Sequence, residues 1–382
     1  MDLADCQAQF DQEGRERYFN SAGATLMPAS VRETMQAFMQ DLYADNVAAY
    51  GKYLPRKQQL REALAALMGA TPPEIAITHH TAEATSIIAN GLEWQKGDVV
   101  MTLDNEYPST IYPWMNLEKL HGVRLLMLEE EHGRLDEDKI IEAIHREKPR
   151  LFAISAVEWC SGYRFDLQTI GRACREEGTF FFVDAAQALG FTDIDVRSCH
   201  ISALAGSAWK WLFGPAGQGY LYLRKGLLDE ITPVFVGSNS VVEPYDYLDF
   251  NFELQPDMRR FEYSTDNLSA LVWWEAGLRF LNQLGLESLR EYVFDLQDYA
   301  AERLSELGCS LRGVGDYEKR SGIMAFAHPE AETAALRRHL ARRGIVAQER
   351  DGCIRLAFHI YSTRSGIDLV VDATRKFLDQ AS

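Results

Sequence analysis

Phe180-Phe181-Phe182-Val183-Asp184-Ala185-Ala186-Gln187-Ala188-Leu189-Gly190 is followed, sixteen residues on, by Ser207-Ala208-Trp209-Lys210-Trp211-Leu212-Phe213-Gly214-Pro215-Ala216-Gly217-Gln218-Gly219-Tyr220-Leu221-Tyr222-Leu223-Arg224. The first stretch is an apolar run that stops at an aspartate. Between the two, Ile201 to Ala205 forms another short apolar piece. A Gly/Pro-rich turn and an aromatic strand, Tyr220 to Leu223, complete the second stretch. Asp184 and Lys210 therefore stand at the ends of buried strands. A lysine between two tryptophans is costly to keep charged, so desolvation is expected to lower its pKa and free the amine as a nucleophile. An aspartate at the carboxyl end of a buried strand lies where open α/β sheets bind ligands. Taken singly, each has an ordinary explanation: most lysines are solvated, and an Asp after a strand is often a helix cap. Together they are the equipment of a pyridoxal-phosphate (PLP) enzyme, a Schiff-base lysine and an aspartate facing the pyridinium nitrogen.

The segments VDAAQALG (183–190) and SAWKWLFGPAGQGYLYLR (207–224) resemble the class V aminotransferase family of fold-type I PLP enzymes. That family includes cysteine desulfurases, isopenicillin-N-epimerase-like proteins, C–S lyases and kynureninases. The Asp-x-x-Gln and Ser-x-x-Lys elements, in this order, are the most specific part of a resemblance that runs over nearly the whole chain. It implies an α/β large domain on a mostly parallel seven-stranded sheet, with a smaller α+β C-terminal domain. The divisions expected are residues 1–25 packing with the small domain, 26–260 as the PLP-binding domain and 261–382 as the small domain.

The resemblance also assigns residues. Lys210 holds PLP as a Schiff base and then works on the substrate α-proton. Asp184 keeps the pyridine nitrogen protonated, and Gln187 lies near the phenolic oxygen. Thr81, Ala82, Glu83 and Ser207 hold the phosphate. In Arg259-Arg260-Phe261-Glu262-Tyr263-Ser264-Thr265, Thr265 reaches the phosphate of a neighbouring copy, which implies a homodimer with shared sites; the family Gly is Ser264 here. Tyr107, after Glu106, stands where desulfurases stack a His on the ring. An aromatic face stacks equally well, but tyrosine is a poor proton shuttle at neutral pH. Trp159 replaces the Asn that bonds the phenolic oxygen in desulfurases and is expected to wall the pocket. Trp209 replaces a phosphate-binding His. Arg355 is expected to fork onto the substrate α-carboxylate, a geometry ammonium does not offer. Gly23 and Ala24 are expected to line the pocket near that carboxylate. Tyr107, Trp159, His359 and the polar, aromatic stretch 237–260 suggest a bulky pocket, although packing explains them equally.

Bulk properties bound the rest. A chain of 382 residues can bury a large core. The net charge of −17 argues against nucleic acid or an anionic membrane as partner. The acidic start, Met1-Asp2-Leu3-Ala4-Asp5, has no signal-peptide character, and no apolar run reaches membrane-spanning length. The six cysteines, at 6, 160, 174, 199, 309 and 353, show no CxxC or scaffold spacing, which fits a reducing cytoplasm. The nine histidines form no HExxH, so no metal site is expected.

Periodicity predicts helices over Ser30–Ala44, Pro55–Met68, Asp136–Ile144, Asp166–Glu177, Ser269–Leu284, Leu286–Leu307 and Glu332–Arg343. It predicts strands over Glu74–Thr78, Asp98–Leu103, Gly122–Leu128, Arg150–Ala156 and Ser321–Ala327, and a hairpin from 345–348 and 353–358. A helix from about residue 81 begins with a capping Thr. Alternation of strands and helices implies a largely parallel sheet, with Tyr220–Leu223 as an antiparallel addition. The GPAGQG turn lacks GxGxxG spacing and disfavours a nicotinamide fold.

The expected chemistry is that of a C–S or β-elimination lyase. A desulfurase also needs a mobile-loop cysteine, and Arg342–Arg350 contains none. Cys353 is too near Arg355 to swing, and Cys160 is not at a family nucleophile position. Aminotransferase or epimerase is the rival reading. A non-catalytic binding protein on the same scaffold is the third, and the retained Asp184, Lys210 and Arg355 argue against it.

Overall fold

A computed structural model describes residues 3–129, 136–246, 248 and 250–381. Strands β1 (Ile75–Thr78), β2 (Val99–Leu103), β3 (Arg124–Leu128), β4 (Leu151–Ser155), β5 (Phe180–Asp184), β6 (Ala203–Ser207) and β7 (Gly219–Leu223) form one sheet in the order β1-β7-β6-β5-β4-β2-β3. Its pairs are parallel except those made by β7, which is antiparallel to both β1 and β6. Strands β4 and β5 are buried on both faces, which is why they read as unbroken apolar runs. Alternate side chains divide between two cores: Phe181 and Val183 on one face, Phe180 and Phe182 on the other.

A second, four-stranded sheet has the order β10-β11-β9-β8, from β8 (Ser310–Arg312), β9 (Ile323–Ala327), β10 (Gln348–Arg350) and β11 (Cys353–Ala357), all antiparallel. The N-terminal segment joins it. The Phe19 N–H donates to Val346 O (2.9 Å), and the Ala357 N–H donates to Phe19 O (2.9 Å). The same segment also touches the large sheet: Gln187 Nε2 donates to Ala22 O (3.0 Å), and the Thr25 N–H donates to Trp209 O (3.0 Å).

Several sequence expectations shift. The first arm of the C-terminal hairpin begins at Gln348, not Ile345, because Val346 pairs with Tyr18. Strand β6 extends to Ser207, which places that hydroxyl at the strand end. The helix Leu268–Leu284 packs chiefly on the helices Ala29–Ala44 and Arg56–Leu67 of the large domain. This helix buries its apolar face on that earlier pair. Helices Asn46–Tyr53 and Pro108–His121 and strand β8 were not expected at all.

The segment after residue 260 is tied down by a buried charge. The Glu262 carboxylate accepts from Arg61 Nη1 (2.6 Å), Lys57 Nζ (2.7 Å) and the Ile77 N–H (2.8 Å). Surrounding cations hold its pKa below the usual carboxylate range despite burial. Ser264 and Thr265 follow directly. No helix among the described residues is long and apolar enough to cross a membrane.

Candidate active site

The parallel strands β4, β5 and β6 end side by side, with Ser155 paired to Asp184 and Asp184 to Ala205. The carboxyl ends of such strands are where α/β sheets present their chemistry. Asp184 is buried. Its Oδ2 accepts from Thr110 Oγ1 (2.9 Å) and its Oδ1 from the Ala186 N–H (2.8 Å). Burial raises its pKa, opposed by these bonds and by Lys210. Among the described residues it has no cation within ion-pair distance.

Lys210 follows β6 by three residues. Its amine lies 5.4 Å from the centroid of the Tyr107 ring. Desolvation lowers its pKa to about 8, against the opposing pull of Asp184 and with help from Arg355. The amine and the aspartate are thus close enough to feel one another. The expected tryptophan sandwich is not the cause: Trp209 is 39% exposed, and the buried Trp211 ring points into the core, where its Nε1 donates to Gln187 Oε1 (3.0 Å). Burial of the amine beside the Tyr107 ring desolvates the lysine instead.

Gln187 is held at both ends, by Ala22 O and Trp211, which leaves one amide N–H uncommitted. Tyr107 is half-exposed and meets Trp159 edge to face, with centroids 5.4 Å apart. Trp159 Nε1 donates to Asn105 O (2.8 Å). Arg355, on β11, reaches this group from the small domain: its Nη1 donates to Trp159 O (2.7 Å). It is buried, its Nε has no partner, and no carboxylate among the described residues pairs with it. Burial lowers its pKa to about 10, with Arg350 contributing.

The start of the helix Thr81–Gly91 differs from expectation. His80, not a Thr, is the N-cap: its Nδ1 accepts the Glu83 N–H (3.0 Å). The Glu83 carboxylate bonds the His79 N–H (2.6 Å), His79 Nδ1 and the Tyr263 hydroxyl (3.1 Å). Glu83 is therefore a brace between the helix start and residue 263, and Thr81 and Ala82 are the first-turn residues whose N–H groups lack intrahelical partners. Gly219 makes this close approach feasible. A Cβ there would lie 2.7 Å from Gly206 O and 3.0 Å from His80 Cα. Thr265 is exposed. Gly23 and Ala24 are half-buried, their N–H groups turned onto Asn20 O.

One expected site residue is corrected outright. His359 is wholly buried, stacked between Trp211 (5.6 Å) and Tyr361 (5.3 Å), with no surface to offer a substrate. Burial pushes its pKa down to about 3, so it is a neutral core ring. Conversely, Thr110, Glu106 and Ser155 went unread. Glu106 accepts the Ser155 N–H (2.5 Å) and bonds its hydroxyl, and burial raises its pKa to about 8. The partners of Thr110 and Glu106 lie 74 and 49 residues away, beyond any local pattern.

The donor set fits PLP. The Ser207 hydroxyl is buried with no hydrogen-bond partner among the described residues, as a donor to a phosphate oxygen would be. The Asp184 carboxylate lacks a cation, which a protonated ring nitrogen provides, and the exposed Tyr107 face is free to stack. Among the described residues no cluster of His, Cys, Asp or Glu could hold a metal ion.

Comparison with known proteins agrees. The profile of the family Aminotransferase class-V matches residues 17–370. A probable cysteine desulfurase of Pyrococcus abyssi is 28% identical over 375 residues, covering 92% of this chain and 91% of that protein. Isopenicillin N epimerase of Streptomyces clavuligerus is 27% identical over 371 residues, covering 93% of each. Among solved structures, the apo cysteine desulfurase of Thermococcus onnurineus superposes with a TM-score of 0.89 at 24% identity, over 99% of this chain and 98% of that one, a likeness of fold. The chain belongs to the class-V aminotransferase family of pyridoxal-phosphate-dependent enzymes.

Proposed function

We propose that the protein acts on the α- or β-carbon of an amino acid as a C–S or β-elimination lyase, without the persulfide chemistry of a desulfurase. The state of the cysteines carries this reading. A desulfurase attacks substrate sulfur with a thiolate, and thiolates need exposure and a lowered pKa. Cys160 and Cys353, nearest the pocket, are both buried. Burial raises both thiol pKa values, and Glu158 raises that of Cys160 further.

Bound at the strand ends, PLP supplies an aldehyde for the amine and a ring that accepts electrons from the substrate Cα. The chain does the rest. Arg355 orients the substrate by its carboxylate. Lys210, neutral once displaced, takes the Cα proton and holds it on Nζ. Asp184 keeps a proton on the ring nitrogen. Ser207 and the first turn of the helix Thr81–Gly91 anchor the phosphate. The Tyr107–Trp159 pair excludes water from one side. Arg355→Lys is expected to raise KM about tenfold or more with a smaller change in kcat, because ammonium cannot fork onto a carboxylate. Steady-state kinetics at saturating cofactor checks this.

The rival reading, aminotransferase or epimerase, is favoured by the similarity to isopenicillin N epimerase. Incubating purified holoenzyme with L-amino acids that carry a β-leaving group, neutral and anionic, decides. Pyruvate and ammonia formed without a co-substrate support elimination; alanine or glutamate formed only with an added keto acid, or a racemised substrate, overturns it. We further propose a homodimer. Thr265 is exposed beyond the anchored Glu262, and Tyr43, Val47, Tyr112, Met115, Phe250 and Phe252 expose large apolar surface. Six free cysteines fit a reducing compartment, and the cytoplasm is the location we propose.

A further inference from the structure

Two guanidinium groups meet at the Trp159 side chain. Its carbonyl accepts from Arg355, and its ring lies 5.6 Å from the Arg350 guanidinium carbon. Arg350 pairs with Cys353 across the β10–β11 hairpin, so Arg350 and Arg355 share one face of it. A cross-strand diagonal of this kind separates residues by about 7–8 Å. The ring of Trp159 carries Arg350 as a cation–π shelf. Beside it lies a cleft of about 660 Å³, walled by Tyr107, Trp159 and Arg350.

The acidic groups around the cleft do not neutralise Arg350. Asp351 pairs with Arg312 (2.5 Å). The Glu158 carboxylate accepts the N–H groups of Cys160 (2.8 Å) and Ser161 (2.5 Å). Glu106 is turned onto Ser155. Asp104 is an exposed rim residue. Among the described residues the Arg350 side chain hydrogen-bonds Glu349 O (2.6 Å) and no carboxylate pairs with it. Two part-buried, unneutralised cations on one face repel each other until an anion bridges them.

We propose that the substrate is an amino acid with a second anionic group on a short side chain, bound by Arg350 while Arg355 holds the α-carboxylate. This rests on the reading of Arg355 as the carboxylate anchor. The cleft shares Tyr107 with the Lys210 amine, 5.4 Å from that ring's centroid, and shares Trp159 with Arg355, so a short side chain can enter the cleft while the carboxylate and Cα stay beside Arg355 and Lys210. Carboxylate, sulfinate and sulfonate share the planar or forked acceptor geometry that guanidinium reads.

The test is a binding titration of holoenzyme, read by visible absorbance, with matched pairs: L-aspartate against L-asparagine and L-glutamate against L-glutamine. In at least one pair the acid is expected to bind about tenfold tighter than its amide at low salt, an advantage that falls as salt rises. Arg350→Gln is expected to abolish that preference while leaving the amide affinity within about twofold. Thermal unfolding of the variant verifies its fold, and Arg350→Lys should restore part of the preference. Equal binding of acid and amide, or a preference that survives Arg350→Gln, overturns the inference and leaves the lyase reading standing. No spectral response to any amino acid overturns both.

Discussion

Lys210→Ala should abolish turnover, with a loss of about 10²–10⁴-fold or more, the range expected when a positioned proton-transfer group is removed. The loss should fall on kcat, because Arg355 still binds the substrate carboxylate. Three further readings isolate the amine. Borohydride reduction of wild-type holoenzyme should fix the cofactor to residue 210, and the variant should take no label there. Exchange of the substrate α-proton with deuterated solvent should collapse with turnover. The apo-fold should lose no thermal stability, because the amine removed is one that burial disfavours in its charged form. The pH dependence has a definite sign. A lysine lowered to about 8 is ammonium below that pH and free amine above it. The rate of cofactor capture by apo-protein should therefore rise with pH and reach half its plateau near 8. A midpoint near 10.5, the value for ordinary lysine, would mean that the pocket does not desolvate the amine. Normal turnover by the alanine variant would remove Lys210 from the chemistry altogether.

Asp184 and Lys210 were legible because local signals announce them: apolar runs that stop abruptly at an ionisable group. The centre of the sheet was legible for the same reason, since β4 and β5 are buried on both faces and leave continuous apolar text, while the seven-strand count came with the family resemblance. What failed was whatever depends on direction rather than sequence spacing. Trp209 and Trp211 flank Lys210 along the chain, yet one points to solvent and the other into the core. His359 follows the Arg355 strand and looked like a pocket residue, but it faces the aromatic layer of Trp211, Phe213 and Tyr361. Thr110 and Glu106 escaped notice because their partners, Asp184 and Ser155, come from other strands. His80 took the cap from Thr81 because a ring nitrogen at that position can accept the Glu83 N–H as a hydroxyl would.

The buried carboxylates also show why position at a strand end is not enough. Asp184 and Glu106 lie at the same end of the sheet, and the charge of Asp184 adds to burial in raising the Glu106 pKa. Glu106 meets only Ser155, so burial dominates and its pKa stands near 8, a neutral acid at pH 7. Burial raises the Asp184 pKa as well, opposed by two neutral donors and the Lys210 charge. A cationic ring nitrogen beside Asp184 would favour its ionised form, while Glu106 stays committed to Ser155.

That separation makes Asp184→Asn the sharper test of electrostatics. The substitution keeps shape. Its amide oxygen can still accept the Ala186 N–H, and its amide nitrogen can donate to Thr110 Oγ1 where Asp184 accepted. Apo-protein should fold with an unchanged or raised melting temperature, since a carboxylate whose ionisation burial disfavours has been replaced by a neutral group. Catalysis should nevertheless fall by about 10²–10⁴-fold, because removing one partner of a buried charge pair costs about 3–5 kcal/mol, at about 1.4 kcal/mol per tenfold. An amide cannot hold a proton on the ring nitrogen, so the loss belongs to kcat, with cofactor still bound and still joined to Lys210. The wild-type profile carries the matching sign. Asp184 supports turnover only while ionised, and the ring cation favours that form, so activity should decline on the acid side as the carboxylate is protonated. That acid limb should vanish in the asparagine variant. Retention of wild-type kcat by Asp184→Asn would show that the carboxylate is a structural bond acceptor for Thr110 and Ala186 rather than the counter-charge of the cofactor ring.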